Sequence, residues 1–115
     1  MVMVMMKPPM DFLIHSIEYV ERIGEDDWQK PIYSDPVTIN NVRVDMGSQY
    51  STTGTGKQLL YNGLIFIYNG RSSPMVDFKE ESKVRFNGTE MTITSVIPVY
   101  EAYVNELYSI ELEVI

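Results

Sequence analysis

An Asn-Gly dipeptide between two strand-like segments constrains this chain more than any other feature of its sequence. Asn87 and Gly88 suit the two positive φ angles of a tight type I′ turn, which joins neighbouring antiparallel strands. The flanking segments, 83–86 and 89–99, therefore predict a β-hairpin. Residues 108–114 then alternate apolar and polar side chains without an error, which is the pattern of a strand with one buried face.

Two more apolar segments, 12–23 and 59–68, also predict strands. In the first, the apolar spacing fits a helix or a strand, and its β-branched residues favour a strand. Such a strand would place Leu13, Ile17, Tyr19 and Ile23 on one face. The second segment is densely apolar toward its end, as expected for a buried strand.

A phase break divides another predicted strand. Val37 and Ile39 would share one face, whereas Val42 and Val44 would fall on the opposite face. One extra residue at 40–41, a β-bulge, would turn both pairs toward the core. About six antiparallel strands in 115 residues predict a mainly β, single-domain sandwich or small barrel.

Residues 47–57 interrupt this pattern with a polar, glycine-rich segment. Its composition buries too little apolar surface to offset the entropy of ordering, so we predict a long mobile loop that projects from the domain. Long loops without secondary structure are uncommon in compact domains and are often functional. The residues of this candidate site are Gly47, Ser48, Gln49, Tyr50, Ser51, Thr52, Thr53, Gly54, Thr55, Gly56 and Lys57.

Two further segments are predicted to lie outside the strands. Residues 1–11 are methionine-rich and continue into Lys7, Pro8 and Pro9, so we expect a flexible N-terminal tail ahead of one domain, 12–115. Residues 24–36 predict a polar connection, which Trp28 and Tyr33 are expected to pin to the domain.

The charge of the chain opposes tight nucleic-acid binding. Nine basic residues stand against 16 acidic ones, for a net charge of −7. A domain that grips phosphates normally presents a basic face. No segment approaches the roughly 20 apolar residues of a membrane span, so we expect a soluble, intracellular protein.

No arrangement of residues predicts catalysis, a cofactor or a metal site. The chain has no cysteine, and His15 is its only histidine, which excludes the usual zinc sites. Gly54–Lys57 partly matches a phosphate-binding loop, but the first glycine and the hydroxyl residue after the lysine are missing. The acidic run at 25–27 lacks the spacing of a calcium loop.

Five segments, taken in order, resemble the minor capsid proteins of phages and prophages of Gram-positive bacteria, in the head-completion or stopper group. The resemblance covers the chain from about residue 12 to its end. The segments that carry it are His15–Ile17, Val42–Asp45, Gly63–Ile67, Val84–Gly88 and Tyr108–Ile115.

This resemblance implies a β-barrel subunit of the siphophage head-to-tail connector. Six or twelve copies would form a ring below the portal or adaptor, close the DNA exit channel after packaging and dock the tail-completion protein. The stretch at 47–57 would project into the channel, gate it and contact packaged DNA transiently. The protein would reside in the virion neck, and in the host cytoplasm during assembly.

Contacts between copies in such a ring need two different surface patches. The candidates are aromatic residues left over from the core, namely Trp28, Tyr33, Tyr100 and Tyr103, together with the methionine-rich tail. Each could instead cover an end of the barrel. Two alternative functions stay open: another neck component, such as a tail-completion protein, or a small oligonucleotide-binding barrel, which the net charge disfavours.

Overall fold

The computed structural model describes residues 7–54 and 56–115 and consists almost entirely of β-strands. In chain order the strands are β1 His15–Val20, β2 Arg22–Glu25, β3 Pro31–Tyr33, β4 Val37–Thr53, β5 Gly56–Tyr68, β6 Lys83–Phe86, β7 Thr89–Tyr100 and β8 Leu107–Val114. A 3-10 turn, Met10–Phe12, precedes β1. Within the described residues, no helix has the length and apolar character needed to cross a membrane.

Six of these strands close into an antiparallel barrel in the order β1–β4–β5–β8–β7–β6, and β6 pairs back to β1. The prediction of a mainly β barrel of about six strands is therefore confirmed. Closure pairs both sides of each barrel strand and removes the free edges of an open sheet. The interior is filled by buried aliphatic side chains, among them Ile17, Ile39, Val42, Val44, Ile65, Ile67, Val84, Ile93, Leu112 and Val114.

The β-bulge predicted at residues 40–41 is confirmed, with Asn41 as the extra residue. Asn41 falls between the pairs that Asn40 and Val42 make with β1. Its backbone has a φ of 60°, a left-handed value that Asn tolerates better than most residues. The extra residue restores the phase of β4, because Ile39 and Val42 are both fully buried.

The tight turn between β6 and β7 is also confirmed. Asn87 and Gly88 have φ values of 49° and 80°. Phe86 and Thr89 pair directly on either side of them. Two positive φ angles at a two-residue connection match the type I′ turn that the dipeptide predicts.

The segment 12–23, predicted as one strand, is divided between two sheets. The chain leaves the barrel after Val20, and β2 pairs with β3 in a separate two-stranded sheet. Ile23 is consequently 59% exposed, so its assignment to the same buried face as Leu13 and Ile17 was wrong.

Residues 24–36, predicted as a polar connection, largely form this second sheet, and we call residues 22–33 the short ribbon. Trp28 lies in its turn and is 83% exposed. The expectation that Trp28 pins the segment to the barrel is therefore wrong. Tyr33 is half-buried at the base of the ribbon, where it pairs with Arg22.

The last residues of the predicted tail contact the barrel. Lys7 Nζ lies 3.7 Å from Glu101 Oε1, and Arg71 Nε donates a hydrogen bond of 3.4 Å to the Pro8 carbonyl. Residues 1–6 lie outside the described residues. The division into a tail, 1–11, and a domain, 12–115, remains a prediction.

Candidate functional site

Strands β4 and β5 continue past the barrel wall as a two-stranded projection, residues 47–62, which we call the arm. It contains the predicted loop, and the prediction that residues 47–57 lack regular structure is wrong. Gly54 lies in the turn of the arm, and Thr55 is outside the described residues. Across the arm the paired residues are Gln49 with Tyr61, Tyr50 with Leu59, Ser51 with Gln58, Thr52 with Lys57, and Thr53 with Gly56.

Backbone pairing explains why a polar segment adopts strands here. An antiparallel pair exchanges N–H and C=O groups between its own two strands, so it needs no buried face for those bonds. The pairing therefore needs no neighbouring copy. Mobility of the arm in an isolated subunit remains a prediction.

Along its described residues, each outer edge of the arm is open to a further strand. β4 pairs with β1 only as far as Val42, and β8 pairs with β5 only from Gly63 onward. In the part of the chain that the structure describes, no strand pairs with the arm from outside. Proteins usually protect such edges with charge or proline, yet residues 46–62 include no proline and a single charged residue, Lys57.

The junction between barrel and arm is fixed by two polar contacts. β1 begins at His15, so no strand of the barrel reaches the Val44 N–H, which instead donates to His15 Nδ1 at 3.0 Å. Further out, Ser48 Oγ donates to Asn62 Oδ1 at 3.1 Å. These contacts give the arm a defined starting direction.

The predicted interface residues lie in two places. Trp28 and Tyr33 belong to the short ribbon, whereas Tyr100 and Tyr103 lie at the connection between β7 and β8. Tyr100 and Tyr103 are 56% and 69% exposed. Sequence reasoning missed Ile32, which is also exposed on the ribbon, because an isolated apolar residue carries no periodic signal.

The described surface offers little that catalysis could use. Two open concavities, of about 400 and 500 Å³, are lined mainly by polar residues and methionines. In the first, Arg85 already pairs with Glu18 and Glu90. Across residues 7–54 and 56–115, no three His, Cys, Asp or Glu side chains gather as metal ligands.

The Tyr68 side chain, at the end of β5, has a shifted pKa. Burial of the Tyr68 phenol raises its pKa above the ordinary value, and the nearby Tyr108, Glu111 and Asp45 side chains raise it further. The Tyr68 and Tyr108 rings meet edge to face, with centroids 5.8 Å apart. The direction of this shift favours the neutral phenol and indicates no nucleophile or base.

Two phage proteins are similar to this chain in sequence. The uncharacterized protein ORF5 of Lactococcus phage LL-H is 37% identical over 75 residues, which cover 63% of this chain and 64% of that protein. The uncharacterized protein ORF5 of Lactococcus phage mv4 is 36% identical over 56 residues, which cover 46% and 50%. The match thus spans less than two thirds of the length of each relative.

No solved structure matches the chain. The family model described as "Minor capsid protein" matches residues 9–114, which is nearly the whole chain and includes every strand of the barrel. The chain therefore belongs to the minor capsid protein family of phages, whose role in the virion is structural.

Proposed function

We propose that this minor capsid protein is a non-enzymatic subunit of the head-to-tail connector. Six or twelve copies form a ring under the portal or adaptor, close the DNA exit channel after packaging and dock the tail-completion protein below. Its place is the virion neck, and its contact with packaged DNA is transient and independent of sequence. The observation that carries this proposal is the arm, with its two open edges.

The arm has a shape suited to closing a channel. Seven residues of β4, 47–53, extend past the barrel, and at roughly 3.3 Å per residue they project about 20 Å. The barrel carries the buried core, whereas the described side chains of the arm are mostly exposed. The arm is thus available to a neighbour without any change in the barrel.

Open edges on opposite sides of the arm favour a ring. In a ring of identical subunits each contact joins two different patches. The outer edge of β4 in one copy can add to the outer edge of β5 in the next, and the main chain supplies the hydrogen bonds. Repeated around an axis, this addition gives a closed collar of arms.

The low charge of the arm suits a surface past which DNA moves. Lys57 pairs with Thr52 near the tip and is exposed. Each arm thus presents one cation, which contacts a phosphate without the multiple neutralised charges of tight binding. The net charge of −7 opposes adhesion of DNA to the rest of the subunit.

A shortened arm tests the closing role. Removing residues 49–61 joins Ser48 to Asn62 and leaves a three-residue connection between Met46 and Gly63, which pair at the barrel wall. We expect a folded subunit that enters particles normally while the particles lose packaged DNA. The measurement is the fraction of DNA in purified heads that becomes sensitive to nuclease.

The matched control is Lys57→Gln, which keeps the length of the arm and removes its charge. We expect these heads to stay sealed. Sealed heads with the shortened arm, or failure of that variant to fold, would contradict the closing role.

Position in the neck is tested separately by electron microscopy. Tailless, DNA-filled heads and free tails are incubated separately with the purified chain. Added density at the portal vertex supports the connector position. Density only on free tail ends would instead identify a tail-completion protein.

A further inference from the structure

The short ribbon exposes three large apolar side chains. Trp28 is 83% exposed, Ile23 is 59% exposed and Ile32 is 42% exposed, all within 12 residues. A bulge in β2 between its pairs with Tyr33 and Ile32 leaves Ile23 as the extra residue. Clustered exposed apolar side chains on a soluble protein mark interaction sites more often than isolated ones do.

The turn that carries Trp28 is ordered without any help from the indole. The Trp28 and Lys30 backbone N–H groups both donate to Asp26 Oδ1, at 2.8 and 2.9 Å. The Gln29 N–H donates to the Asp26 carbonyl at 3.0 Å, and Gln29 has a φ of 63°. The tryptophan is therefore held out in a defined position, which lowers the entropy cost of binding through it.

The base of the ribbon is tied to the barrel. The Arg22 guanidinium pairs with Glu81 and with Glu25. The Arg22 N–H donates to the buried Ser82 Oγ at 3.0 Å, and the Ser34 N–H donates to the Glu21 carbonyl at 2.8 Å. The ribbon is thus anchored at one end and presents its turn at the other.

Three acidic residues lie near the exposed tryptophan in the sequence. Asp26 and Asp27 precede it and Asp35 follows the ribbon; all three are exposed, and no basic side chain forms an ion pair with them in the described structure. Lys30 is the nearest basic residue in sequence. A complementary surface must therefore combine an apolar pocket with a basic rim.

A second copy of this chain does not offer such a surface. Of its nine basic residues, five pair with carboxylates of the same chain: Lys7, Arg22, Arg43, Lys79 and Arg85. Of the others, Arg71 donates to a backbone carbonyl and Lys83 to a threonine hydroxyl. The last two do not form a basic rim, because Lys30 lies in the ribbon itself and Lys57 is the single charged residue of the arm. Three open concavities of the described surface each include a carboxylate, Glu90 in two of them and Asp45 in the third, which disfavours the acidic ribbon as an occupant.

We infer that the short ribbon docks into a different virion protein, through Trp28 in an apolar pocket with a basic rim. This inference rests on membership in the minor capsid family and not on the closing role of the arm. Docking through the ribbon and channel closure by the arm can be disproved independently, because the ribbon and the arm are separate projections.

Site-specific photo-crosslinking in assembled particles tests the partner. A benzophenone amino acid replaces Trp28, and in a control particle it replaces Tyr103, which is exposed on the other candidate patch. We expect position 28 to crosslink to one other virion protein. A crosslink only to another copy of this chain, or no protein crosslink at all, would overturn the inference.

Two pairs of variants test the chemistry of docking. Trp28→Ala is expected to lower the amount of this chain in purified particles about tenfold or more, while Trp28→Phe retains more of it.

The second pair tests the charge. Asp27→Lys is expected to lower the amount of this chain in particles more than Asp77→Lys does, which is an equal change of charge at another exposed site. Thermal melting of the free chain should change little for all four. The inference is contradicted if the Trp28→Ala chain enters particles in the same amount as the native chain. It is also contradicted if the two charge reversals lower that amount equally.

Discussion

Strands β4 and β5 pass through two different environments within one hairpin. In the barrel, Val44 and Ile65 pair directly and both are buried. A few residues further along the same two strands, Tyr50 pairs with Leu59 in the arm, and Tyr50 is 55% exposed. The two strands stay paired from the barrel into the arm, but side chains that are buried in the barrel give way to exposed side chains in the arm.

This contrast separates what holds the subunit together from what remains available for assembly. Within the barrel, β5 is paired with β4 on one side and β8 on the other. In the arm, before Gly63, the same strand is paired only with β4. Stability should therefore depend on the barrel segments of these strands, and substitutions in the arm should be tolerated by the fold.

The largest expected effect comes from truncating a buried side chain of the barrel segment. Ile65→Ala leaves a cavity at a fully buried position and should lower the free energy of unfolding by about 2–5 kcal/mol. Tyr50→Ala, in the arm, should change it by less than about 0.5 kcal/mol. Urea unfolding of both variants measures the difference, and equal losses would remove the contrast between the two segments.

The bulge that sets the phase of β4 gives the next largest effect. Asn41→Val puts a β-branched side chain at a φ of 60° and should lower the free energy of unfolding by about 1–3 kcal/mol. Asn41→Gly is the control, because it also loses the 3.4 Å bond from Asn41 Nδ2 to the Leu13 carbonyl but accepts the backbone angle. The two variants should differ in urea unfolding, and equal stability would mean that the bulge has no conformational role.

A smaller effect is expected where the barrel segment of β4 meets the arm. His15→Leu removes the acceptor of the Val44 N–H and should lower the free energy of unfolding by about 1 kcal/mol. His15→Asn retains an acceptor near the position of Nδ1. Hydrogen exchange at the Val44 amide should quicken in the first variant more than in the second. Unchanged exchange in both would show that water or another group satisfies this N–H.

The barrel could be predicted from the sequence because its side chains carry periodic signals. A strand with one buried face alternates apolar and polar side chains, and the break between Ile39 and Val42 indicates the bulge. The Asn87-Gly88 turn was equally local, since two adjacent residues determine it. These features depend on side chains that face a core or on backbone angles that few residues accept.

The arm and the short ribbon could not be predicted in the same way. In the arm, backbone hydrogen bonds hold strands whose polar residues need not alternate, so its composition resembled that of a loop. In the ribbon, Ile23 and Trp28 suggested burial because apolar residues usually pack inside. Their exposure depends on where the chain leaves the barrel after Val20, which no local pattern records.

The smallest effect concerns Tyr68, at the end of β5 that lies furthest from the arm. Burial, followed by the Tyr108, Glu111 and Asp45 side chains, raises the pKa of its phenol in the folded state. The folded chain therefore holds this proton more tightly than the unfolded chain, whose tyrosine pKa is about 10. The resulting stabilisation is fully present below pH about 10 and is lost as the pH rises through the folded-state pKa.

Tyr68→Phe removes this contribution and retains the ring that meets Tyr108 edge to face. Urea unfolding at neutral and strongly alkaline pH should show a smaller alkaline loss of stability in the variant than in the native chain. The other tyrosines are present in both proteins, so the difference isolates Tyr68. Identical alkaline profiles would mean that its phenol ionises alike in the folded and unfolded chain, and that this end of the barrel wall is as open to water as the arm.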